Sequence, residues 1–150
     1  MRARIHFMLA LAIFAAPMRG VAEDSVAKAK DLWERYVALE RAFDPAAAEL
    51  YSDDAKIQNT RTYSSGERRT LTFPTADYKK LIRAALPFAK ARGDTNTYSD
   101  VKYTVEGERV RITSTRFSEL KKYSSPLSLL VGPAPGGKWL IFEELSESKP

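Results

Sequence analysis

The sequence contains no cysteine and only one histidine, His6, and its three methionines, Met1, Met8 and Met18, also lie near the start. The chain beyond residue 22 therefore has no Cys, His or Met. Their absence excludes Ser-His and Cys-His nucleophilic catalysis and removes the usual ligands of zinc and copper, so we predict no metal site and no cofactor. It also excludes disulfides, so an exported domain would depend on its hydrophobic core. Any enzyme built here would work with Asp, Glu, Tyr, Lys or Arg.

The first residues have the pattern of a cleavable secretory signal. Arg2 and Arg4 give a charged start, an uninterrupted apolar run covers Phe7 to Ala16, and small residues precede a cleavage point after Ala22. The alternative, a membrane anchor, fits poorly because the run at ~1.5 Å per residue covers about half of a ~30 Å hydrocarbon core. We predict a signal peptide at 1–22.

Removing that signal changes the charge that a partner would meet. The whole chain has a net charge of +5, but Arg2, Arg4 and Arg19 would leave with the signal, so 21 basic and 19 acidic residues would remain. A net charge of +2 argues against a nucleic-acid partner, which needs a concentrated basic surface. We expect one domain at 23–150, exported to the periplasm of a two-membrane bacterium or secreted from another host, with no stable membrane span.

The remaining pattern predicts an α+β domain. Helical spacing of Leu32, Trp33 and Tyr36 predicts a first helix, and Asp44 caps a short second one. A β-hairpin follows, then a third helix that Gly93 ends and that Pro87 kinks or ends. Alternating residues from 98 onwards predict a four-stranded antiparallel meander. The predicted order is ααββαββββ.

Several local sequences, in this order and spacing, resemble the nuclear transport factor 2-like superfamily, particularly its small SnoaL-like bacterial members. They are Trp33-x-x-Tyr36 on the first helix, Leu50 to Ala55 before the first strand, Gly66 in the hairpin, and Gly136 to Ile141 opening the last strand. The resemblance covers about Asp24 to Ser146.

The resemblance implies a cone, in which a strongly curved antiparallel or mixed sheet wraps around three helices. Members bind small apolar molecules in that cone, dock partner proteins, or catalyse a few acid-base reactions, so the fold does not decide the function. Members often dimerise through the sheet, and the resemblance therefore also allows a homodimer.

Aromatic residues are the first candidates for the cavity wall. By alternation and by similarity to the family, Tyr36, Tyr63, Tyr103 and Phe117 reach the cavity and stack on a flat or apolar ligand. The alternative is that aromatic residues only fill the core, which is our interpretation of Trp33 and Trp139.

Arg116 and Glu143 are the charged candidates, because each is in phase with apolar residues on its strand. If neighbouring strands bring them together inside the cone, they would orient a ligand or carry out acid-base work. The alternative is an ion pair at the cavity mouth or at strand ends that reach solvent.

No complete catalytic set is visible in the sequence. Ketosteroid-isomerase-like members need a cavity carboxylate facing a Tyr and carboxylic-acid pair, dehydratase-like members rely on histidine, and epoxide-hydrolase-like members use two aspartates bridged by an arginine. We therefore predict no catalytic residues and a non-catalytic domain that binds an apolar or aromatic small molecule, or an envelope protein. The alternatives are a small isomerase or hydrolase using carboxylate and tyrosine, and a protein-interaction or inhibitor module of the envelope.

Overall fold

The computed structural model describes residues 18–149. Most of the predicted signal, 1–17, lies outside the described residues, and residues 18–22 form the first turns of helix α1 (Met18–Ala42). No helix within the described part of the chain has the length and apolar character needed to cross a membrane.

The secondary structure follows the predicted order, with the short second helix adopting the tighter 3₁₀ form. A 3₁₀ helix (Pro45–Leu50) follows α1, and α2 (Thr75–Arg92) separates the first two strands from the last four. The strands are β1 (Tyr51–Thr62), β2 (Arg68–Phe73), β3 (Asn96–Glu106), β4 (Arg109–Ser118), β5 (Tyr123–Pro133) and β6 (Trp139–Ser148).

The helix ends show why these segments begin and stop where they do. Asp44 caps the 3₁₀ helix, its Oδ1 accepting the Ala46 backbone N–H at 2.8 Å. Helix α2 continues through Pro87 to Arg92 and ends at Gly93, whose left-handed φ of 63° suits a glycine cap. At its other end the Thr75 hydroxyl donates to the Ala55 carbonyl at 2.7 Å, which fixes the start of α2 against β1.

The six strands form one mixed sheet in the order β2-β1-β6-β5-β4-β3. Only the β1–β6 pair within this sheet is parallel, because β1 enters from the helical half and pairs with the last strand of the meander. Helix α1 packs on the inner face of β3 to β6, and α2 packs on β1 and the 3₁₀ helix. The largest fully buried side chains are Leu50, Ile57, Val110, Ile112, Leu127, Leu129, Val131 and Ile141.

An irregularity in β6 decides which of its side chains face inward. Val131 pairs with Ile141, but the preceding residue, Leu130, pairs with Glu143, so Phe142 is an extra residue in β6. Such a bulge reverses the alternation of side chains beyond it. Glu144, paired with the fully buried Leu129, consequently points into the molecule on the same face as Ile141.

Candidate functional site

A cavity of about 250 Å³ lies between α2 and the inner face of the sheet. This volume is somewhat below the ~300–1,000 Å³ of typical drug-sized ligand sites. Its lining consists of Tyr36, Glu40, Ala47, Tyr51, Tyr78, Leu81, Ile82, Ala85, Leu86, Ala89, Arg116 and Glu144.

The cavity has an apolar side formed by α2. Leu81, Ile82, Ala85, Leu86 and Ala89 recur at helical spacing and line it together. Leu81 is 48% exposed, so the apolar face of α2 is not fully covered by the rest of the described chain. An apolar ligand would find its contact surface here.

The opposite, polar side contains the most buried carboxylate of the domain. Glu144 is only 2 % exposed, and the hydroxyls of Tyr51 and Tyr78 donate to its two oxygens, the latter at 2.9 Å. Burial, and then the charge of Glu144, raises the pKa of both tyrosines well above the ordinary value. Both hydroxyls therefore stay protonated and donate, and the carboxylate retains unused lone pairs.

Glu40 is the second carboxylate of the cavity and has a similar set of partners. The Asn96 amide donates to its Oε1 at 2.7 Å and the Tyr98 hydroxyl donates to its Oε2. Burial raises the pKa of Glu40, against the lowering effect of these hydrogen bonds and of the more distant Arg116.

Arg116 provides the positive charge of the cavity, but it does not form an ion pair with either glutamate. Its Nη2 donates to the Glu147 carbonyl at 2.8 Å and lies 3.4 Å from the Ser125 hydroxyl. The cavity thus combines two hydrogen-bonded carboxylates, neutral tyrosines and one guanidinium. The described residues contain no group of three or more His, Cys, Asp or Glu side chains that could hold a metal ion.

Two of the six predicted ligand-binding residues, Tyr36 and Arg116, line this cavity. Tyr36 is buried in α1 and stacks on Trp33 with ring centroids 5.6 Å apart. Trp33 belongs to the hydrophobic core, and Trp139 packs against that core. Both positions agree with the interpretation of the two tryptophans as core residues.

The other three aromatic candidates lie elsewhere. Tyr63 follows β1 in the hairpin, where Arg61 and Arg69 lie within 5.6 Å and 5.5 Å of its ring centroid. Tyr103 packs against the core beside Lys30 of α1, and Phe117 has Lys122 over its ring.

Glu143 lies on the outer face of the sheet, and the predicted pairing with Arg116 is not formed. Its carboxylate accepts from Arg111 Nη1 at 3.0 Å and lies 3.6 Å from Lys56 Nζ. The prediction counted alternate residues from Trp139 and Ile141, and the bulge at Phe142 breaks that count.

Sequence reasoning missed the residues that form the polar side. Glu40 continues the helical stripe of Trp33 and Tyr36 at a spacing of four, which is a signal that could have identified it. Tyr78 lies at helical spacing with Leu81 and Ile82, so the pattern alone indicates only an apolar helix face. Nothing local marks Glu144, because only the bulge turns it inward.

Comparisons with known proteins agree with this architecture. No protein-family model matches the chain, and no curated protein matches it by sequence. The structure is similar to that of a nuclear transport factor 2-like protein of unknown function from Pseudomonas putida KT2440, with 10% identity, a TM-score of 0.65, and coverage of 84% of this chain and 87% of the other.

Two further solved structures have the same fold. One is a nuclear transport factor 2-like protein with a cystatin-like fold from Novosphingobium aromaticivorans (19% identity, TM-score 0.59, 86% of this chain and 84% of the other). The second is a candidate ketosteroid isomerase from Shewanella frigidimarina (18% identity, TM-score 0.58, 79% of this chain and 94% of the other). The chain therefore has the nuclear transport factor 2-like fold, as the sequence resemblance predicted, and identities this low carry the fold alone.

Proposed function

We propose that this chain of the nuclear transport factor 2-like fold is an exported, non-catalytic protein that binds a small, mainly apolar molecule. The observation that carries the proposal is the cavity between α2 and the sheet, with an apolar wall and convergent polar groups at its other side. A concave, largely apolar site with a few placed polar groups is the usual form of a small-molecule site.

Native mass spectrometry of the protein purified from its own host tests this function. We expect a reproducible extra mass that disappears on unfolding, on a chain that begins at Glu23 if the predicted signal is removed. A chain that retains residues 1–22 after export would contradict the predicted cleavage.

A matched pair of variants in α2 connects the extra mass to the cavity. Ala85 lines the cavity and its equally exposed neighbour Ala84 does not. We expect Ala85→Trp to abolish the bound mass and Ala84→Trp to retain it. An unliganded wild-type protein, or equal loss in the two variants, would count against the proposal.

Acid-base catalysis is a second candidate, and one observation favours it. Glu40, whose pKa is raised by burial, lines the same cavity as Glu144 and Arg116. Carboxyl groups tuned upward in a cavity are typical general acids or bases. If the protein is an isomerase or hydrolase, Glu40→Gln should abolish turnover and Glu143→Gln, on the outer face, should leave it unchanged. Retained turnover in Glu40→Gln would exclude this role.

A further inference from the structure

The carboxylates of Glu40 and Glu144 differ from those of Glu143 and Glu147 in whether their partners are charged. Outside the cavity, Glu143 is paired with Arg111 and Lys56, and Glu147 with Arg68 at 2.7 Å. Among the side chains of residues 20–149, no lysine or arginine nitrogen lies within 4.0 Å of the Glu40 or Glu144 carboxylate. Their partners are neutral hydroxyl and amide groups.

Buried carboxylates without a contacting cation favour a ligand that supplies one. Neutral donors satisfy hydrogen bonds but leave the negative charge uncompensated, and an uncompensated charge is costly away from water. With both glutamates ionised and Arg116 charged, the formal charge of the lining is −1, because its other members are neutral. A singly charged cation would bring the occupied cavity to neutrality.

Arg116 does not take that place, because none of its nitrogens forms an ion pair with either carboxylate. Nη2 donates to the Glu147 carbonyl at 2.8 Å, towards the end of β6. The nearby guanidinium is nonetheless the one feature that would favour an anion, so an anionic probe belongs in the test.

The aromatic residues on the cavity wall add to the preference for a cation. Tyr36, Tyr51 and Tyr78 line it, and their ring faces attract ammonium groups. Each can also contact the apolar part of a ligand. Apart from Tyr78, the α2 residues that line the cavity are apolar, so the rest of such a ligand would be hydrocarbon.

We propose that the cavity selects organic ammonium ions: compact primary amines whose nitrogen is bound by the carboxylates of Glu40 and Glu144 and whose apolar body lies along α2. This inference rests on the proposed binding function and specifies its ligand class. The charged nitrogen supplies hydrogen-bond donors to the free lone pairs of both carboxylates, which a hydrocarbon cannot do.

Three probes of nearly the same size and different charge test the class. They are phenethylamine, protonated at neutral pH, the uncharged 2-phenylethanol and the anion phenylacetate, measured by calorimetry at low ionic strength on the protein from Glu23 onwards. We expect phenethylamine to bind at least about tenfold more tightly than 2-phenylethanol, as charge-assisted hydrogen bonds to carboxylates predict, and phenylacetate to bind most weakly.

Adjacent glutamates provide the matched variants. Glu144→Gln should weaken phenethylamine about tenfold or more and leave 2-phenylethanol within a factor of about two. Glu143→Gln, which removes a charge on the outer face, should change neither. Circular dichroism checks the fold, and Glu40→Gln gives the same test on the second carboxylate if Glu144→Gln does not fold.

The outcomes separate this inference from the function on which it rests. If 2-phenylethanol or phenylacetate binds as tightly as phenethylamine and Ala85→Trp abolishes that binding, the binding function stands and the ammonium class is overturned. Equal effects of Glu143→Gln and Glu144→Gln also overturn it. If no probe binds and native spectra contain no ligand, both proposals fail.

Discussion

Glu143 and Glu144 are neighbours in the sequence, yet they lie on opposite faces of the sheet and have different kinds of partners. Glu143, with 17% of its side chain exposed, is paired with the more exposed Arg111 and Lys56. Glu144, 2% exposed, is held by the hydroxyls of Tyr51 and Tyr78. The outer carboxylate is paired with cations of the protein itself, and the inner one accepts hydrogen bonds from neutral hydroxyls.

The comparison also separates two kinds of contribution to stability. Ion pairs near solvent contribute about 0.2–1 kcal/mol because water and salt screen them. Hydrogen bonds between buried groups matter mostly when they are broken, because each orphaned hydroxyl then costs about 1–3 kcal/mol. Replacing Glu144 should therefore lower the free energy of unfolding much more than replacing Glu143.

The largest expected difference is between the two alanine substitutions. Glu144→Ala leaves the Tyr51 and Tyr78 hydroxyls without their acceptor, so we expect the free energy of unfolding to fall by about 2–4 kcal/mol. Glu143→Ala should lower it by about 1 kcal/mol or less. Urea denaturation measures both, and a comparable loss in the two variants would contradict the placement of these side chains.

A smaller effect is expected from pH, through Glu40. Its folded pKa is raised from the ordinary 4.5, so its stabilising contribution is complete below that pH and is lost as the pH rises through the raised value. The groups facing it are Asn96, Tyr98, Arg116 and Glu144, and neither Asn96 nor the buried Tyr98 changes charge in this range. We expect Glu40→Gln to flatten the decline in unfolding free energy above pH 4.5.

Glu49 is a control of opposite sign for that measurement. A hydrogen bond from Arg83 lowers the pKa of this exposed carboxyl, so its contribution is present at neutral pH and is lost as the pH falls through the lowered value. Glu49→Gln should therefore leave the decline above pH 4.5 unchanged. If Glu40→Gln instead removed a rise in unfolding free energy above pH 4.5, the direction of the Glu40 pKa shift would be contradicted.

The smallest expected effect is the response of the two faces to salt. A double-mutant cycle on Arg111 and Glu143 should give a coupling of about 0.5 kcal/mol in dilute buffer that largely disappears in 1 M NaCl, where the screening length is about 3 Å. The coupling between Tyr78 and Glu144 should not change, because it is a hydrogen bond from a neutral, partly buried donor to a buried carboxylate. Equal salt sensitivity would mean that water reaches both pairs.

The sequence by itself determined the order of helices and strands, the fold and part of the site. Helical spacing, the Asp44 cap and the Gly93 stop act within a few residues, so they can be identified without tertiary structure. Alternation, strand phase and the family resemblance predicted six cavity residues, of which Tyr36 and Arg116 line the cavity. The absence of Cys, His and Met beyond residue 22 follows from composition alone.

Only the tertiary structure decided which carboxylate faces the cavity and what holds it. Tyr51 donates to Glu144 across 93 residues of sequence, and no local pattern encodes that contact. The bulge at Phe142 depends on how β6 pairs with β5 and β1, and one extra residue reverses every side chain beyond it. Alternation within a strand therefore predicts a face only as far as the first bulge, and Glu144 lies beyond one.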